Sequence, residues 1–198
     1  MTSRAKPAPS PKEIKALLFD FGGTLAFLDY EFLASEFSRP DRRIDPLALE
    51  HAEYSGRRAI DDYLMSGKPA SALGSYVDYF RTWMRTVGFR DQEIDQLRAR
   101  FQKIHRASTL WRVVRPGIRE TLARLKDAGL KLAVVSNAEG QVEGDAQRFG
   151  LAQFFDVIID SHVVGVAKPD PRIFQIALER LGVGAEESLF AGDIYSID

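Results

Sequence analysis

Residues 14–25 read IKALLFDFGGTL, and the fold is decided by how this stretch is built. Ile14–Phe19 is a short apolar run that stops at Asp20. Glycines follow at 22 and 23, then Thr24 and Leu25. An apolar run closed by a turn signal is a short buried strand entering a Gly-rich turn.

The same rhythm returns after Arg115. Pro116-Gly117 opens a helix, IRETLARLKDAG, with Leu122 and Leu125 on one face and Gly129 placed to end it. KLAVVSN is a buried strand ending in polar residues. A helix near 141–149, a strand FDVIID, a helix PRIFQIALERLG and a strand SLFAGD complete the run. Strands alternating with helices of about a dozen residues make a parallel sheet with crossover helices, an α/β fold of the Rossmann-like kind.

Between the first and second strands the pattern differs. From Phe27 to Leu110, apolar and aromatic residues recur at helical spacing, as in Tyr76, Phe80, Trp83, Met84 and Val87. Pro40, Pro46, Gly67 and Gly88 punctuate the stretch, and no strand pattern stands out. It is too long for a simple crossover. The expected organisation is therefore a core of residues 14–26 and 112–198 with an inserted helical cap over 27–111. The hinges are expected near Leu25–Phe27 and Arg112–Arg115. The aromatic side chains Tyr79, Phe80 and Trp83 read as the packing of that cap, and His51 and His105 as surface or packing residues. His162, just after the third strand, is better placed but shows no partner.

Composition narrows the function classes. The chain has 198 residues, 45% of them apolar, with 27 basic and 28 acidic side chains and a net charge of -1. That balance calls for neither a nucleic acid nor an anionic membrane as partner. There is no cysteine, so disulfides and thiolate zinc sites are excluded. Residues 1–13 are rich in Pro, Ser and basic residues without a signal-peptide apolar run, and read as a disordered leader. A soluble cytoplasmic protein, monomer or homodimer, is the expectation.

The polar groups fall at strand ends. Asp20 ends the first strand, Ser136 and Asn137 the second; Lys168 follows the third and Asp193 the fourth. Each alone has an ordinary reading: a turn cap, a helix N-cap, a solvated lysine, a Gly-Asp turn. In a parallel sheet, however, these ends share one edge, where ligands of open α/β folds bind. Carboxylates, a hydroxyl, an amide and an ammonium converge there.

These motifs resemble those of the haloacid dehalogenase (HAD) superfamily. DFGGTL resembles its first motif, which begins with an aspartate nucleophile; VVSN the second; Lys168-Pro169 the third; and GDIYSID, with Asp193 and Asp198, the acidic fourth. The helical insert resembles the caps that follow the first motif. The resemblance implies hydrolysis of a small phosphorylated metabolite through an aspartyl-phosphate on Asp20. Mg²⁺ would be held by Asp20, the Gly22 carbonyl and Asp193, with Asp198 holding a coordinated water or orienting Lys168. Gly22, Gly23, Thr24, Ser136, Asn137 and Lys168 would hold the phosphoryl group. The physical logic agrees: a carboxylate nucleophile divides a hard hydrolysis into two steps, and a cation with oxygen ligands offsets the repulsion between two anions.

Two departures stand out. HAD phosphatases carry an Asp two residues after the nucleophile as general acid and base, worth about 10²–10⁴-fold; here that position is Gly22. The alternatives this opens are a 2-haloacid dehalogenase and a catalytically weak binding or assembly protein. Phosphonatase chemistry would need a cap lysine, and Lys68 and Lys103 sit in no recognisable motif. The resemblance also implies a further helix and strand after the fourth motif, so a C-terminal truncation fits, and residues 194–198 are expected to fray.

Overall fold

The computed structural model describes residues 13–72, 78–107 and 109–198. The leader expected over 1–13 lies, apart from Glu13, outside the described residues, as does Tyr76. Four parallel strands form the sheet in the order β5-β4-β1-β6: β1 is Ala16–Phe19, β4 Lys131–Ser136, β5 Val157–Asp160 and β6 Ser188–Ala191. β1 runs through the middle, with Ala16 level with Lys131 on one side and with Ser188 on the other.

Alternation along β4 explains the two cores. Leu132 and Val134 pack on one face with Phe21, Leu25, Leu122 and Leu151. Ala133 and Val135 pack on the other with Leu18, Ile159, Ile173 and Leu181. Successive strand side chains point to opposite faces, so a strand covered on both sides must be apolar throughout. The first face is covered by α5 (Ile118–Asp127) and α6 (Val142–Arg148), the second by α8 (Pro171–Leu181), while the short α7 (Ser161–Val164) follows β5. α8 begins as its sequence dictates: Asp170 caps the N–H of Arg172, and Pro171 occupies the first turn.

Residues 30–72 and 78–107 form a helical layer of α1 (Tyr30–Phe37), α2 (Pro46–Met65), α3 (Tyr79–Val87) and α4 (Asp91–Ala107). Its core gathers Leu33, Phe37, Leu49, Phe80, Trp83, Met84 and Ile94. Trp83 is fully buried, and its indole N–H donates to the Leu49 carbonyl at 2.9 Å, so its one polar atom is satisfied. No described helix is long and apolar enough to cross a membrane.

One local expectation needs correction. The chain enters and leaves the helical layer through an antiparallel ribbon of β2 (Phe27–Leu28) and β3 (Trp111–Val113), where no strand pattern had been expected. Strands this short carry no readable alternation. Their pairing is supported by Arg115 over the Phe27 ring at 3.8 Å, and by Arg112, which lies over Phe32 and meets Asp29 at 3.2 Å.

Candidate active site

The sheet delivers its polar residues to one edge. Asp20 follows β1, Ser136 closes β4, and Asp193 lies just past β6. Lys168 comes from the loop after β5 and is set by Asn137, whose amide accepts from the Lys168 N–H at 2.7 Å and donates to its carbonyl at 2.9 Å. That two-point contact aims the side chain inward. The Lys168 ammonium donates to Asp20 Oδ1 at 2.7 Å and to Asp198 Oδ1 at 2.5 Å. All three side chains are buried.

Asp198 holds the last turn together. Its Oδ2 accepts from the N–H groups of Asp193 and Ile194, each at 3.0 Å, and its own N–H donates to the Ile194 carbonyl. The fraying expected of residues 194–198 is therefore not what the structure shows: the turn is closed by its own carboxylate. Gly192 makes this possible, because a Cβ there would lie 2.3 Å from the Asp198 carboxylate. Gly23 has a similar role. Its φ is +84°, and a Cβ would meet Asp193 Oδ2 at 2.3 Å.

A second bridge comes from the helical layer. Arg57 on α2 pairs with Asp193 Oδ2 at 2.7 Å and with Glu53, four residues earlier, at 2.7 Å. Glu53 is itself buried and accepts from the hydroxyls of Tyr30 and Tyr79. The site thus contains two carboxylate–cation–carboxylate triads, Asp20–Lys168–Asp198 and Glu53–Arg57–Asp193. Burial pushes the Asp20 carboxyl above its ordinary value, opposed by the Lys168 charge and hydrogen bond. Burial likewise pushes Asp193 up to about 7; Arg57 opposes this, and Asp20 and Asp198 add to it.

These residues border a cavity of ≈ 380 Å³. Asp20, Gly22, Ser136, Asn137, Lys168, Asp193 and Asp198 line it; Gly23 and Thr24 do not, and the Thr24 hydroxyl is buried without a hydrogen-bond partner among the described residues. The phosphoryl-holding role expected of the Thr24 side chain is thus not what the structure places there. Gly22 has a neighbour that the sequence did not suggest. A Cβ on it would lie 3.3 Å from two carbons of the Trp111 indole.

Other lining residues also escaped the sequence reading. Glu53 and Arg57 look like an exposed i, i+4 pair. The signal against that was their register, on the same stripe as Leu49, Ala52, Gly56 and Tyr63, all buried. His105, expected at the surface or in packing, lines the cavity together with Thr109 and Asp145. His51 is exposed, and the His162 ring packs against Gly140 away from the cavity.

A family model described as haloacid dehalogenase-like hydrolase matches residues 14–198. The chain belongs to that family. This HAD-like hydrolase is 28% identical to haloacid dehalogenase-like hydrolase domain-containing protein 3 of Homo sapiens, over 94% of the chain and 76% of the human protein. It is also 28% identical to the glyceraldehyde 3-phosphate phosphatase of Methanopyrus kandleri, over 91% of the chain and 76% of that enzyme. Among solved structures, a HAD phosphatase from Thermococcus onnurineus aligns with a TM-score of 0.52 at 28% identity, covering 93% of this chain and 80% of that one.

The donor set can be tested against the Mg²⁺ that such a site implies. Among the described residues no three acidic or imidazole side chains converge as a ready cage, because Lys168 and Arg57 stand between the carboxylates. The two triads nevertheless set four carboxylates against two cations, an excess of acidic groups that a bound cation would balance. Two carboxylates, a backbone carbonyl and waters form a hard-oxygen set of the kind Mg²⁺ accepts. The residues fit the ion.

Proposed function

We propose that this HAD-like hydrolase cleaves a small phosphate monoester, with Asp20 as nucleophile and a helical cap of residues 27–111 closing over the site. The observation that carries the reading is the buried Lys168 ammonium between Asp20 and Asp198 at the edge of a cavity. One Asp20 oxygen attacks phosphorus and the ester P–O bond breaks, leaving an aspartyl-phosphate and an alkoxide that takes up a proton from water. Water then attacks phosphorus, the bond to Asp20 breaks, and the carboxylate returns with release of inorganic phosphate. Lys168 offsets the charge brought by the phosphoryl group, Ser136 and Asn137 offer it hydrogen bonds, and the cavity limits access of bulk water. Mg²⁺, held by Asp20, Asp193 and the Gly22 carbonyl with Asp198 behind them, would supply further compensation for phosphoryl charge.

The indole against Gly22 supports a second reading. No carboxyl occupies the general-acid position, and a halide leaving group needs no proton, so carbon–halogen hydrolysis through an ester on Asp20 also suits this site. Asp193, a second carboxylate where a cation could be held beside Asp20, favours the phosphate ester.

The two are separated by assaying phosphate and halide release from a panel of phosphate esters and 2-haloacids, with Mg²⁺ and with chelator. Phosphate release that needs Mg²⁺ and disappears in Asp20→Asn is the expected result. Halide release in chelator, without phosphatase activity, would move the assignment to the dehalogenase.

A further inference from the structure

At Gly22 the cavity presents carbon where an acid would stand. A Cβ on Gly22 would lie 3.3 Å from both Cδ2 and Cε2 of Trp111 and 3.5 Å from its Cε3. Cδ2 and Cε2 are the two carbons shared by the indole rings, so they are approached only through the ring face. Trp111 therefore lies face-on to Gly22, and both residues line the cavity. The ring is held from two sides. It packs against the core of the helical layer and against the core on one face of the sheet, and its backbone is level with Leu28 in the β2–β3 ribbon. The carboxylates around it are tied to cations: Asp20 and Asp198 to Lys168, Glu53 and Asp193 to Arg57. The Tyr79 hydroxyl donates to Glu53.

We propose that Trp111 selects the leaving group, and that the substrate is an aromatic phosphate monoester whose departing oxygen spreads its charge into a ring. The assignment rests on the phosphoryl reading above and narrows its substrate. An Asp20 oxygen attacks phosphorus, the bond from phosphorus to the aryl oxygen breaks, and the aryloxide leaves with the electron pair. It takes its proton from water after departure.

Acidity and shape lead to the same class. An aliphatic alcohol is about as weak an acid as water, at about 15.7, and its alkoxide needs a proton as it leaves. A phenol, at about 10 like the tyrosine side chain, releases its oxygen without one. A carbon surface beside that oxygen offers no proton and no solvation, so the charge must be carried by the leaving group itself. The indole face also accepts a flat ring by offset or edge contact, and Phe21, Ile60, Ile194 and Ile197 extend the apolar wall. Hydroxyls set against this part of the wall would lose water without regaining hydrogen bonds.

The test uses the full chain in Mg²⁺ and compares phosphate release from 4-nitrophenyl, phenyl, cyclohexyl and propyl phosphates. Phenyl and cyclohexyl phosphates match in ring size and differ in whether the departing charge enters a π-system. Phenyl phosphate is expected to show a kcat at least about 10²-fold above that of cyclohexyl phosphate, the scale of the missing acid, with 4-nitrophenyl phosphate faster still. Comparable kcat values for phenyl and cyclohexyl phosphates would overturn the assignment, because they require a proton donor elsewhere on the wall. Binding isolates the ring of Trp111. In the Asp20→Asn chain, calorimetry should find phenyl phosphate bound up to about tenfold more tightly than cyclohexyl phosphate, the scale of one aromatic pair. Trp111→Ala should erase that preference and Trp111→Phe should keep most of it, with affinity for inorganic phosphate retained in both. A preference that survives Trp111→Ala, or none with Trp111 in place, would overturn the role of the ring. The second of these needs no change at position 111, so it decides even where Trp111→Ala does not fold. Phosphate release from none of the four esters would strike the phosphoryl reading and this assignment with it, whereas comparable rates on phenyl and cyclohexyl phosphates strike the assignment alone.

Discussion

Trp111 lays its indole on Gly22, at the contact distance where the first side-chain carbon of a larger residue would have to stand. The missing acid is therefore not an empty position, because a ring from the β2–β3 ribbon fills the space beside it. Gly22 does not have a positive φ, so its backbone admits a side chain and the obstacle is the ring. Gly22→Asp alone is expected to leave alkyl-phosphate turnover flat. Gly22→Asp with Trp111→Ala should raise it toward the ~10²-fold low end of general acid catalysis. Steady-state rates on alkyl and activated aryl phosphates check this, and a full gain from Gly22→Asp alone would refute it.

Lys168 is expected to be indispensable. Lys168→Met leaves Asp20 and Asp198 buried together without the ammonium that both contact. Turnover should fall by at least about 10²-fold, the scale of losing one preorganised electrostatic group. Lys168→Arg should not restore it, since a planar fork does not reproduce a compact ammonium. Rates and a thermal melt on each variant separate lost chemistry from lost fold.

Arg57 competes with any cation for Asp193. Arg57→Gln removes one positive charge paired directly with that carboxylate. Mg²⁺ should then bind more tightly, by roughly a decade given charge–charge energies at short range in a partly buried site. Calorimetric titration with Mg²⁺ reads this without reference to activity. Unchanged or weaker Mg²⁺ binding would mean that the ion does not use Asp193.

Asp156 offers a pH test away from the cavity. Lys126 donates to both its oxygens at 2.8 Å, and the Leu132 N–H donates to Oδ2 at 2.8 Å. Burial pushes the carboxyl up, but the Lys126 hydrogen bond, the backbone N–H and the Lys126 charge outweigh it and hold the group below its usual range. A folded value below the unfolded one, about 3.9, contributes stability that is present above that pH and lost as pH falls through the folded value. Asp156→Asn should cost at most about 1 kcal/mol at neutral pH, since the pair is largely solvated. The gap between variant and parent in chemical denaturation should close as pH falls below the unfolded value.

The sheet and its edge were legible because each strand is a buried run with a turn signal at its end. A parallel arrangement then brings Asp20, Ser136, Lys168 and Asp193 together whatever their separation in sequence. Helix α8 was legible from Asp170-Pro171 at one end and Gly182 at the other. Glu53 and Arg57 were not, because an acidic and a basic residue four apart on a helix normally face water. Only the docking of α2 over the sheet edge turns that pair inward. Asp145 and His105 were hidden for a similar reason: they line one cavity from two helices far apart in sequence, and the β2–β3 ribbon between those helices is too short to leave a pattern.

The last turn is fastened twice to α2: Arg57 pairs with Asp193, and Asp61 accepts from the N–H and hydroxyl of Ser196 at 2.8 and 2.6 Å. The helical layer and the turn that carries Asp198 therefore share a coupling free energy, and such coupling is reciprocal. Whatever steadies the turn also holds α2 over the cavity. Whatever draws α2 away loosens the partner that Lys168 shares with Asp20. Under the proposed cap closure, entry of substrate and assembly of the charged centre would be a single equilibrium, read from either end.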